Sequence, residues 1–197
     1  MKTGLVVVAV IVLAALIVGG WFVSVNNQLV ARDQAVQETW AQVQNVYQRR
    51  ADLIPNLVET VKGFAAQERT VLEEVTRARA SASSIQLTPE ALNDPAAMRR
   101  FQEAQSQLGS ALSRLLVTVE RYPELKSNQN FLALQSQLEG TENRIAVERR
   151  RYNETVQAYI TMIRQFPASL VAGIRGFKEK AYFEAAPGSE VAPKVRF

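Results

Sequence analysis

The 197-residue chain contains no cysteine and no histidine. These two absences together exclude disulfides, thiol nucleophiles, zinc sites of the Cys/His kind and imidazole acid–base chemistry. They leave redox compartment unreadable, since a cysteine-free chain suits the cytosol and the periplasm equally. A dense basic face is also missing. The net charge is +4, and the cations are spread among the acids, so nucleic acid is not an expected partner. Gly140, Gly173 and Gly176 form no phosphate-cradling loop. Glu38, Glu73 and Glu74 lack the Glu-x-x-His spacing of di-iron bundles, so no metal is expected. Ser110, Ser113 and Ser136 have no base beside them in the sequence. Neither an enzyme nor a cofactor is expected.

One thing the chain has is a long apolar run. "LVVVAVIVLAALIVGGWFVSV", residues 5–25, carries no charge, and the nearest charges are Lys2 and Arg32. About 20 apolar residues cross a ~30 Å hydrocarbon core, and Trp21 and Phe22 sit where aromatic rings favour the headgroup level. The alternative is a cleaved secretory signal, with Lys2 as its basic end and Val18-Gly19-Gly20 before the cut. The run is long for a signal and Val18 is a poor cleavage residue, so an anchor in the lipid bilayer is expected. Lys2 and the α-amino group outweigh Arg32, which Asp33 offsets. The positive-inside bias therefore places the N-terminus inside and the rest outside the cytoplasm.

Beyond residue 26 the pattern is helical, with almost no strand signal. A first amphipathic run covers about 27–83. Val36, Val43 and Trp40, Tyr47, Ile54, Val61 fall on adjacent heptad rows, continued by Leu57, Phe64, Val71, Leu72 and Val75. A loop spans 81–95, where Thr88 before Pro89 and Glu90 is placed to cap a short turn. A second run carries Phe101, Leu108, Leu115 and Tyr122, with Gln105, Leu112 and Val119 between them, and breaks at Pro123. A third, from about Lys126 to Phe166, has its seam at Phe131, Leu134, Leu138, Thr141, Ile145, Glu148, Tyr152, Val156, Tyr159, Ile163 and Phe166. It would be on the order of 60 Å long. A short helix from about Ala168 to Phe183 is expected next. The fold class is all-α: an N-terminal transmembrane helix, then an antiparallel bundle of long helices with left-handed packing near +20°. The expected division is a short tail at 1–4, the anchor at 5–25, the bundle at 26–184 and a polar tail at 185–197.

Pro55 falls inside the first run. A proline deep in a helix costs about 3 kcal/mol or more, whereas a first turn tolerates it. Asp52 is a good N-cap type three residues ahead. A kink or break between Arg50 and Pro55 is therefore expected, with a restart at Asp52 and Arg49 and Arg50 bonding the freed carbonyls.

"RRADLIPNLVETVKGFA", "LKSNQNFLALQSQLEGTENRIA", "RRRYNETVQAYI" and the Phe166-Pro167 pair, in this order and spacing, resemble the signature blocks of the LemA family over residues 32–184. Gln67-Glu68 stands where that family commonly has His-Glu. The resemblance implies a bacterial, membrane-anchored, antiparallel helical bundle and no defined reaction. Relatives it brings in include one needed for building magnetosome membranes and others encoded beside membrane metalloproteases. Some relatives carry a lipobox cysteine in place of the anchor, which agrees with a domain outside the cytoplasm.

Asn128, Asn130, Glu142, Asn143, Arg144, Tyr152 and Asn153 match the family blocks. They are expected to form a polar network that sets helix register, or else a partner site. Arg49, Arg50, Asp52 and Asn56 are candidates to join it. "ERRRY", 148–152, spans a full turn, so its arginines cannot share one face. The expected function is a non-catalytic scaffold in the cytoplasmic membrane, self-associating and organising membrane or partner proteins. The alternative is an accessory or adaptor subunit of a membrane enzyme such as a metalloprotease.

Overall fold

The computed structural model describes residues 2–184; the tail expected at 185–197 lies outside the described residues. Six α-helices and no strand occur among these residues: α1 (Lys2–Phe64), α2 (Arg69–Ser84), α3 (Pro95–Val119), α4 (Pro123–Lys126), α5 (Gln129–Arg164) and α6 (Ala168–Arg175). A 3₁₀ turn, Ala91–Asn93, precedes α3. The helix starts follow their local chemistry. Asp94 caps α3 by accepting from the Ala96 amide at 2.8 Å, with Pro95 in the first turn. Asn128 caps α5 by accepting from the Phe131 amide at 3.1 Å. Thr88 Oγ1 accepts from the Ala91 amide at 3.3 Å, the turn that its place before Pro89 foretells.

α1 is one uninterrupted 63-residue helix with Pro55 inside it. The expected break before Pro55 does not occur, and Asp52 caps nothing; its carboxylate accepts from Gln48 Nε2 within the same helix at 2.7 Å. The reason lies in another helix. Pro55 has no N–H for the Ala51 carbonyl four residues back, and Arg79 Nε on α2 supplies the missing donor at 2.7 Å. Arg49, exposed, and Arg50 do not serve that carbonyl. The first run breaks instead at 65–68, which no proline marks.

The helices pack antiparallel in neighbouring pairs. Along α1 and α5, Trp40 meets Tyr152 and Arg50 meets Glu142. Along α2 and α3, Glu68 meets Arg121 and Glu74 meets Arg114. Two core clusters result. The membrane-proximal cluster joins Val25, Leu29, Val36, Trp40 and Val43 of α1 to Tyr152, Val156, Tyr159 and Ile163 of α5 and Val171 and Ala172 of α6. The distal one joins Ile54, Leu57 and Val61 to Leu72 and Val75 of α2, Leu108 and Leu115 of α3, and Phe131 and Leu138 of α5. Most of the α5 seam is buried as its spacing demands, but Glu148 is half-buried and paired with Arg151 at 3.2 Å, and Phe166 is 81% exposed.

The last helix is shorter than expected. α6 stops at Arg175, where Gly176 takes a left-handed φ of 74° that closes the helix and turns the chain. Residues 177–184 are not helical. They form a strap that runs back along α5, between it and the 3₁₀ turn.

Candidate functional site

The strap is held mainly through its backbone. Tyr159 Oη donates to the Lys178 carbonyl at 2.8 Å and Tyr152 Oη to the Ala181 carbonyl at 3.0 Å. Asn153 pairs with both backbone groups of Phe183, each at 2.9 Å. On the other side the Ala181 amide donates to the Leu92 carbonyl at 2.7 Å. Lys180 is buried, with its ammonium 3.0 Å from Asp33 and over the Tyr159 ring. Burial, with the Asp33 charge adding to it, pushes the Tyr159 hydroxyl up to about 12. Burial raises that of Tyr152 further. Phe183 thereby enters an aromatic cluster, its ring 6.0 Å from Trp40 and 5.5 Å from Tyr152. Trp40 Nε1 donates to the Leu87 carbonyl at 3.3 Å.

At the junction of the two cores lies Arg50, 3% exposed. Its guanidinium donates to Glu142 of α5 and to the Gln105 side chain of α3, and stands 5.1 Å from the Tyr47 ring centroid. The Nε has no protein partner. Burial raises the Tyr47 hydroxyl pKa, against the opposing charges of Arg149 and Arg50. Arg50 forms the floor of a groove of about 1130 Å³ that separates α3 from α5. Gln102, Gln105 and Ser110 stand on one wall, Leu138, Glu142 and Asn143 on the other, and Glu184 at one end. Leu57, Leu112, Leu116 and Ile145 line it too, and this mix of apolar side chains, amides and charges suits a polypeptide surface. No three carboxylates among the described residues converge to hold a metal ion.

The sequence-selected residues fall into four places. Arg50 and Glu142 meet across the groove floor. Tyr152 and Asn153 hold the strap. Asn128 is a helix cap. Arg49, Asp52, Asn56, Asn130, Asn143 and Arg144 are exposed, and of these only Asn143 lines the groove. The arginines of "ERRRY" do separate: Arg149 covers the Phe183 ring at 4.7 Å, Arg150 faces Glu154 and Arg151 faces Glu148. Sequence reasoning passed over Gln105, Arg79, Lys180 and Phe183. It also passed over the clamp at the far end, where the Tyr122 hydroxyl donates to Glu68 at 2.7 Å and accepts from Gln67 at 3.0 Å. That clamp uses the Gln67-Glu68 pair at which the chain departs from the usual His-Glu.

One helix among the described residues is long and apolar enough to cross a membrane. Continued without interruption into a helical bundle, it defines a class: a membrane-associated, all-α bundle protein. The LemA family profile matches residues 39–197, and the chain belongs to that family. It is similar to magnetosome proteins MamQ 1 and MamQ 2 of Paramagnetospirillum magneticum, each 26% identical over 83% of this chain. It spans 66% of the length of those two relatives. MamQ of Magnetospirillum gryphiswaldense is 27% identical over 86% of this chain and 69% of its own length.

Proposed function

We propose that the protein is a non-catalytic scaffold held in the bacterial cytoplasmic membrane by residues 5–25, with its bundle on the outer side, self-associating to organise membrane or partner proteins. The observation that carries this reading is the continuity of α1. An apolar span, exposed from residue 5 to 21, runs without a joint into the helix on which both cores are built. The magnetosome names of the relatives agree with a role at a membrane.

A second reading is favoured by the groove between α3 and α5, whose polar floor fits a segment of a partner protein. There the chain acts as an adaptor subunit of a membrane enzyme. Crosslinking in intact cells followed by mass spectrometry separates the two. Self-links are expected for a scaffold; reproducible links from groove residues to one enzyme would replace it with the adaptor. Topology is checked by Gln86→Cys in the exposed loop, which reacts with an impermeant maleimide in spheroplasts if the bundle lies outside. Labelling only after lysis would reverse the orientation.

A further inference from the structure

We infer that α6 is a second membrane contact: a short helix lying in the headgroup zone of the bilayer that α1 spans, with Phe166, Leu170 and Ile174 inserted into it. This rests on the reading of residues 5–25 as a retained anchor. Leu170 and Ile174, four residues apart in α6, share one face of it, and Phe166 lies in the turn that leads into the helix. Phe166, Leu170 and Ile174 are 81%, 56% and 74% exposed, while Val171 and Ala172 on the opposite face are buried in the membrane-proximal core. Soluble surfaces rarely leave such a stripe to water.

Its position identifies what covers it. Arg175 Nε, at the end of α6, donates to Asn26 Oδ1 at 3.0 Å. Asn26 is the first polar residue after the apolar run closes at Val25. At the other end of α6, Phe166, Pro167 and Ala168 line a hollow with Trp21 and Val25 of the anchor. α6 therefore lies beside the stretch of α1, from Trp21 to Arg32, over which the helix leaves the hydrocarbon. Trp21 of the anchor, itself exposed, lines the same hollow as Phe166. An interfacial helix sinks its apolar face about 5–10 Å into the headgroup and acyl boundary, a depth within reach from this height. The cations at its end, Arg175 and Lys178, suit a phosphate-bearing surface.

The cysteine-free chain makes the test direct. Phe166→Cys, Leu170→Cys and Ile174→Cys in the full chain are each labelled with an environment-sensitive fluorophore. They are then reconstituted in phosphatidylethanolamine–phosphatidylglycerol vesicles. Val117→Cys, 66% exposed on α3 at the far end, is the aqueous control, and Leu13→Cys, within the apolar run, is the lipid control. The substituted side chains are exposed, so melting curves should not change. The three α6 labels are expected to be quenched by doxyl lipids and to show iodide quenching at least about fivefold weaker than the Val117 label. Iodide quenching equal to that at Val117, with Leu13 still quenched by doxyl lipid, would overturn the contact and leave the anchor standing. Protection from iodide without doxyl quenching, lost on dilution of protein in lipid, would assign the stripe to a second copy instead. If the Leu13 label is itself aqueous, the anchor reading falls and this inference with it.

Discussion

Trp40 and Leu115 are both almost fully buried, at 3% and 0% exposed, yet their cores are built differently. Around Trp40, rings from α3 and α5 meet it edge to face and Phe183 of the strap stacks on it, and polar tips on Trp40, Tyr152 and Tyr159 hold backbone that belongs to no helix. Around Leu115 aliphatic side chains fill the space between paired helices, and little besides apolar area is at stake. Arg50 stands where the two meet. The lesson is one of economy of backbone. A core made of helices alone needs only apolar stripes, whereas one that incorporates irregular chain needs side chains with an apolar body and a hydrogen-bonding tip.

The largest expected effect separates the two cores directly. Trp40→Ala should destabilise the detergent-solubilised chain by about 3–5 kcal/mol, and Leu115→Ala by about 2–5 kcal/mol. Both are read from urea unfolding. Only Trp40→Ala should speed hydrogen exchange at the Ala181 and Phe183 amides. Equal exchange in the two variants would mean that the strap is independent of the aromatic core.

Arg79 links the halves more subtly. Arg79→Met leaves the buried Ala51 carbonyl without a donor, at a cost of about 1–3 kcal/mol. Adding Pro55→Ala restores an N–H to that carbonyl and should recover most of the loss. A double variant no more stable than Arg79→Met alone would refute the bridging role.

A pH series sharpens the contrast. Tyr159 keeps its proton in the folded state up to about 12, above the ordinary phenol value of 10.0. Its contribution is complete below pH 10 and is lost as pH rises towards 12. Trp40 fluorescence, followed in a Trp21→Phe background, should report loosening over that window. Tyr159→Phe should shift or weaken the transition.

The smallest effect is expected at Asn143→Ala and Arg144→Ala. Both side chains are exposed, so each should move the melting midpoint by less than about 2 °C. A shift of several degrees would restore to them the register role that their place in the family blocks first implied.

Much of this was legible in the chain. The heptad rows placed Trp40, Leu108, Tyr152 and Val156 in the core, and the capping residues Thr88, Asp94 and Asn128 lie at turns that prolines and polar clusters announce. Pro55 misled because its compensation comes from Arg79, a helix away; local sequence holds the cost of a proline but not a remote donor. The break at 65–68 is held by the Glu68–Tyr122 hydrogen bond, again a contact between distant residues. The strap was missed although Gly176 follows Arg175 in the pattern of a helix stop. Of the candidate site, Arg50, Glu142, Tyr152 and Asn153 were singled out by family blocks. Gln105 was not, because a glutamine on a heptad row reads as an interruption until its partner is known.

The absence of any joint in α1 has a mechanical side. About 39 residues separate Val25 from Phe64, a lever of about 60 Å at ~1.5 Å per residue. A tilt of about 10° imposed on the anchor by a thinner or more curved bilayer would carry the far end of the bundle sideways by about 10 Å. The groove on the bundle would swing with it. Local bilayer geometry would thus be converted into the bearing of a protein surface well above the membrane, with Arg79 as the brace that keeps the lever from folding at Pro55.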